Sequence, residues 1–83
     1  EEIRARVAQA LLRLAVEHSE TTQEGLRIPV RLSQATLGSI VGATRENVNR
    51  ALAALMAAGH LSHQNGFYII RHRAALEALC VGK

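Results

Sequence analysis

Eighty-three residues make one small domain, and a chain of this size buries only about 60% of its unfolded surface. Hydrophobic residues make up 48% of it, which excludes disorder, and no apolar run approaches the ~18 residues that span a bilayer. The net charge is +3, with seven Glu, no Asp and a single cysteine, Cys80.

One cysteine cannot close an internal disulfide, which fits a reducing cytoplasm. No Ser, His and acid stand at a spacing that would assemble a catalytic centre, so the chain is read as non-enzymatic. It opens Glu1-Glu2-Ile3 without methionine or a leader pattern, which predicts a piece of a longer protein. Charge is unevenly spread. Residues 1–24 set three Arg against five Glu, a net −2, while residues 25–83 set six Arg and Lys83 against Glu46 and Glu77, a net +5. A basic body with an acidic shoulder suits a nucleic acid on one side only. Phe67 and Tyr68 are the only aromatic residues besides histidine. That disfavours stacking modules for single strands and favours a duplex read through its grooves.

In chain order, Ile3, Val7, Ala10, Leu11 and Leu14 recur at three- and four-residue steps, which predicts a helix fading near His18. Ser19 to Gly25 reads as a polar loop. Leu26 to Leu32 alternates apolar and polar, and Pro29 demotes it to an edge strand. Ser33 caps a short helix from Gln34 to Ile40 or Val41, stopped by Gly42. Thr44 caps a second, from Arg45 to about Ala58, closed by Gly59. Leu61–Gln64 and Phe67–Ile70 are strands joined by Asn65-Gly66, the strongest short-range hairpin signal. A last helix, about Arg73 to Cys80, puts Leu76, Leu79 and Cys80 on one side.

Two helices joined by a short glycine-containing turn form a helix-turn-helix signature. Leu37, Val41, Val48 and Ala51 occupy the positions that pack such helices together. Gly38 sits mid-helix, where it costs about 1 kcal/mol relative to alanine, so a close approach at that position is expected. On the second helix, Val48, Ala51, Leu52, Leu55 and Met56 share an arc of about 140°. Arg45, Glu46, Asn49, Arg50 and Ala53 share another of the same width. Donors and acceptors near the N-terminus are what a recognition helix carries into a major groove. Arginine reads guanine O6/N7, and Glu accepts from cytosine N4. The N–H groups after Ser33 and Thr44 are phosphate hooks. The plain alternative is a solvated face with Glu46 and Arg50 paired at i,i+4. With a strand before it and a hairpin behind, the helix pair predicts a winged helix-turn-helix, mainly α with a small β-hairpin.

The run Leu32-Ser33-Gln34-Ala35-Thr36-Leu37-Gly38-Ser39-Ile40-Val41-Gly42-Ala43-Thr44-Arg45-Glu46-Asn47-Val48-Asn49-Arg50 resembles the DNA-binding signature of Crp/Fnr-type transcription regulators. Val41-Gly42-Ala43-Thr44-Arg45-Glu46 and Val48…Arg50 are especially similar, and the resemblance spans nearly all of residues 1–83. It implies a C-terminal winged helix that follows a sensor domain for a cyclic nucleotide or other effector and a long dimerisation helix. The parent would be a cytoplasmic homodimer on palindromic double-stranded DNA, with no cofactor in this domain. Residues matching Arg45, Glu46 and Arg50 read base edges in that family, and Asn49 lies beside them. Those matching Ser33, Gln34, Thr44 and Asn47 lie at phosphates. Two departures stand out: Ala35 replaces a frequent long polar residue, and Asn49 a frequent glycine. The retained Arg-Glu-x-x-x-Arg pattern implies a half-site like that of the cyclic-AMP receptor type, with a G·C pair under Arg45.

Gln64 and Asn65, with Gly66, are expected at the wing tip, where they either contact the DNA backbone or merely turn the chain. Ser19 to Gly25 matches a region that contacts RNA polymerase in some activators of the family, although an ordinary connecting loop is the favoured reading. His60, His63, His72 and Cys80 match no zinc spacing, and Cys80 reads as a small hydrophobe. The rival reading is a winged helix whose basic face meets an acidic protein without base-specific DNA binding.

Overall fold

Apolar side chains from four helices meet over one face of a small sheet. In chain order these are α1 (Ile3–His18), β1 (Glu20–Thr22), β2 (Gly25–Arg27), α2 (Gln34–Val41), α3 (Arg45–Ala57), β3 (Leu61–Gln64), β4 (Phe67–Ile70) and α4 (Arg73–Val81). The computed structural model describes residues 2–81. Glu1 and Lys83, which enter the charge balance, lie outside the described residues, and so does Gly82. Val7, Leu11, Ile28, Leu37, Val48, Leu52 and Leu76 are fully enclosed. Each such aliphatic side chain contributes about 1.5–3 kcal/mol through burial. The winged helix-turn-helix expected from the sequence is the fold observed.

Local signals placed the helix-turn-helix well. Ser33 Oγ accepts from the Thr36 N–H at 3.0 Å, and Thr44 Oγ1 from the Asn47 N–H at 3.2 Å. Both caps satisfy a donor that the first helical turn leaves unpaired. Gly42 ends α2 in the left-handed region at φ 73°, and the Asn65-Gly66 turn holds positive φ at both positions, 55° and 85°. A β-carbon on Gly38 would stand 2.6 Å from the Ala43 carbonyl oxygen. Glycine at position 38 lets the turn fold back over α2, so the close approach is to backbone. Met56 departs from expectation. It is 37% exposed, because it lies at the outer edge of the apolar arc.

The sheet is larger than expected. It has four antiparallel strands in the order β1-β2-β4-β3, where the sequence suggested an edge strand and one hairpin. Glu20 to Gly25 forms a second hairpin, with Thr22 opposite Gly25, where the sequence suggested a loop. Gln23 and Glu24 at its tip carry no turn signature. The Thr22 hydroxyl builds the turn instead, accepting from Glu24 N at 3.1 Å and Gly25 N at 3.2 Å, and donating to the Gly25 carbonyl at 2.9 Å. Leu26 to Leu32 is no edge strand. Its pairing part, β2, lies inside the sheet between β1 and β4 and stops at Arg27. Ile28 N still donates to Tyr68 O at 2.9 Å, but Pro29 has no N–H to continue the ladder.

Candidate nucleic-acid interface

Helix α3 divides cleanly. Val48, Ala51, Leu52 and Leu55 are buried against the core, while Arg45, Glu46, Asn49 and Arg50 are exposed. Among the described residues, no hydrogen bond or ion pair engages the side chains of Arg45, Glu46 or Arg50. The i,i+4 pair between Glu46 and Arg50 that a solvated face would favour is not formed. Two cations and one carboxylate therefore stand unneutralised along one helix face.

Donors collect at the two helix starts. The Thr44 cap uses the Asn47 N–H, and Val48 N donates to Thr44 O, leaving the Arg45 and Glu46 N–H groups pointing out of the helix start. In α2 the same logic leaves the N–H groups of Gln34 and Ala35. The Ser33 hydroxyl is occupied twice over: it accepts from Thr36 N and donates to Thr36 Oγ1 at 2.9 Å. Ser33 thus acts on its surroundings through the turn it caps more than through its hydroxyl. Thr44, Arg45 and Asn47 line one shallow depression together with Ala35 and Ser39. Arg50 and Asn47 share a neighbouring groove with Arg4.

Gln34 is elsewhere. Its Nε2 donates to Asn49 Oδ1 at 3.0 Å, tying the start of α2 to the exposed face of α3. The structure thereby joins a residue expected at phosphate to one expected near the bases.

Gln64 and Asn65 occupy the tip of the β3–β4 wing and are exposed. Arginines that the sequence left unassigned gather beside them. The Arg31 guanidinium lies beside Gly66 and 5.0 Å from the Phe67 ring centroid. Arg27 lies 4.0 Å from the same ring and pairs with Glu20 at 2.5 Å. Both arrangements depend on the register of β2 against β4, so no local sequence signal reveals them. His63 is exposed and stacks on Tyr68 at 4.2 Å between centroids. Cys80 packs half-buried against the core. Among the described residues, no group of three or more His, Cys or Glu could hold a metal ion, and no helix is long and apolar enough to cross a membrane.

The scaffold under this face is held by α1. Arg6 donates from Nη2 to the carbonyls of Val41 and Gly42, the end of α2.

Solved structures similar to this chain include transcription regulators. A CRP-family transcriptional regulator from Thermus thermophilus is 28% identical, with a TM-score of 0.87 over 100% of this chain and 42% of that one. The catabolite activator protein of the same organism is 32% identical, with a TM-score of 0.79 over 98% and 35%. The CO-dependent transcription factor CooA from Carboxydothermus hydrogenoformans, at 20% identity, shares the fold with a TM-score of 0.86 over 93% and 36%. The chain thus spans less than half the length of these regulators. A comparison with curated proteins finds no match. The family model for the Crp-like helix-turn-helix domain matches residues 5–79. With the capped helix pair, the glycine-packed turn and the wing all in place, the chain belongs to the Crp-like helix-turn-helix family, the DNA-binding domains of transcription regulators.

Proposed function

We infer that this domain binds double-stranded DNA sequence-specifically, with α3 entering the major groove by its N-terminal end. The observation that carries the reading is the set of exposed, unpartnered Arg45, Glu46 and Arg50 on one face of a helix whose other face is locked in the core. Arg45 and Arg50 suit guanine O6/N7, and Glu46 suits cytosine N4. The Thr44 hydroxyl, the open N–H groups at both helix starts and Asn47 take phosphate oxygens. Gln64, Asn65 and the neighbouring Arg31 reach the flanking backbone from the wing.

The parent is a cytoplasmic homodimer that reads a palindrome and carries an effector-sensing domain ahead of residues 1–83. The CO dependence named for one structural neighbour supports that arrangement. The hairpin over residues 19–25 offers an exposed surface for RNA polymerase.

The test is a titration of duplex against single-stranded DNA over a range of salt. Duplex should bind more tightly, and the log–log slope should steepen by about 0.9 for each phosphate neutralised. A flat salt response with no duplex preference would overturn this reading and point to the protein-binding rival.

A further inference from the structure

We propose that Gln34 is a positioning residue for base reading, setting which end of the Asn49 amide faces the DNA. The inference rests on α3 lying in the major groove. Its physical basis is a hydrogen bond from α2 to the exposed face of α3: Gln34 Nε2 to Asn49 Oδ1, 3.0 Å. Gln34 is half-buried at the first position of α2, and Asn49 is exposed between Glu46 and Arg50.

A free asparagine carries a donor end and an acceptor end, and it reads adenine by offering both at once to N7 and N6. Here the acceptor end is turned to Gln34. Presenting both atoms to one adenine would make Oδ1 share itself between Gln34 and N6. The end left facing away from α2 is Nδ2, with its two N–H donors. Asn49 therefore turns its donors toward the DNA, and it selects base edges that offer acceptors: guanine N7 and O6, adenine N7 or thymine O4. Cytosine, whose major-groove group is the N4 amino donor, is rejected.

Reversing the polarity of the partner should reverse the preference. In Gln34→Glu the carboxylate has no proton to give, so it accepts from Nδ2 and turns Oδ1 outward. Asn49 then favours the amino groups of cytosine N4 or adenine N6. In Gln34→Ala the amide turns freely, and the discrimination against cytosine is lost.

Selection from a random duplex library tests this with the wild-type chain, Gln34→Ala, Gln34→Glu, Asn49→Ala and the Gln34→Ala/Asn49→Ala pair. One base pair of the selected site should lose its preference in Asn49→Ala. At that pair, the wild type should favour guanine or thymine over cytosine by about three- to tenfold, the range of one net hydrogen bond. Gln34→Glu should shift the choice toward cytosine or adenine, although added negative charge lowers its total binding. Gln34→Ala should have no further effect on base choice once Asn49 is alanine. The proposal is overturned if Gln34→Ala and Gln34→Glu keep the wild-type choice at that pair, or if Asn49→Ala changes no position. An unenriched library for the wild type itself would overturn the base-reading function, and this inference with it. Both side chains lie on the surface, and a thermal melt of each variant confirms that base choice is measured on folded protein.

Discussion

Arg6 on α1 donates from one nitrogen, Nη2, to the Val41 carbonyl at 2.6 Å and to the Gly42 carbonyl at 3.1 Å. These are groups that the end of α2 leaves without helical partners. A cation there also meets the negative end of the helix dipole. The first helix thereby grips the turn that aims α3.

Arg6→Ala should cost about 1.5–3 kcal/mol, the range for hydrogen bonds that involve a charged group. Urea unfolding of the variant checks this through a lowered midpoint at unchanged slope. Arg6→Lys should recover part of the loss. A midpoint within error of the wild type would show that water replaces the guanidinium without penalty.

Gly38 and Gly59 should respond differently to alanine. At Gly38 the new β-carbon would lie 2.6 Å from the Ala43 carbonyl oxygen. The clash should outweigh the roughly 1 kcal/mol gained in helix propensity and leave a net loss of about 1–3 kcal/mol. A β-carbon on Gly59 would meet no such neighbour within 4 Å, but its φ is 81°. Gly59→Ala should lose only the cost of the left-handed backbone, about 1–2 kcal/mol. Paired unfolding curves, together with DNA affinity for Gly38→Ala, test the contrast. DNA affinity should fall in Gly38→Ala because the strain lies in the turn that orients α3.

Arg45→Ala should cost about 1–3 kcal/mol on the selected site and relax the choice at one base pair. Arg31→Ala should instead weaken all sequences alike and lower the salt slope by about 1. Competition titrations with specific and random duplex separate the two. Equal losses on both duplexes for Arg45→Ala would remove it from base reading.

Tyr68 should make the fold sensitive to alkali. Burial holds its hydroxyl above the ordinary value of about 10. Above pH 10 the unfolded chain releases the proton while the folded chain keeps it. The stability contributed is therefore intact below pH 10 and falls as pH rises toward the raised value. Tyr68 is the only tyrosine, so its ultraviolet titration reports the site directly. Tyr68→Phe should flatten the dependence of melting temperature on pH above 10, and an unchanged slope would assign it to other groups.

A chain of these 83 residues should sediment as a monomer and bind a half-site moderately. Val7 and Leu11 are wholly enclosed in the domain's own core, so neither is open to a partner helix. Two tethered copies would engage half-sites about 34–36 Å apart and gain about 10²–10⁴ in avidity. A tight dimer with strong preference for the full palindrome would move the dimer interface into this domain.

What the sequence determined by itself was local. Ser33 and Thr44 cap their helices through N–H groups three residues ahead, Gly42 ends α2 with its own φ, and Asn65-Gly66 turns through its own two residues. Such choices depend on i,i+3 or i,i+4 neighbours, so a linear pattern carries them. The two faces of α3 were legible for the same reason, except at Met56 on the seam. Tertiary structure decided the rest. The β1–β2 hairpin rests on Thr22, and on Gly25 lying so close to the Ile70 carbonyl that any β-carbon would overlap it. Arg6 meets Val41 across 35 residues, and Gln34 meets Asn49 across 15. Nothing in the spacing of those residues announces the contacts. They exist because the core brings helices together first, and side chains then find the carbonyls and amides that packing has placed within reach.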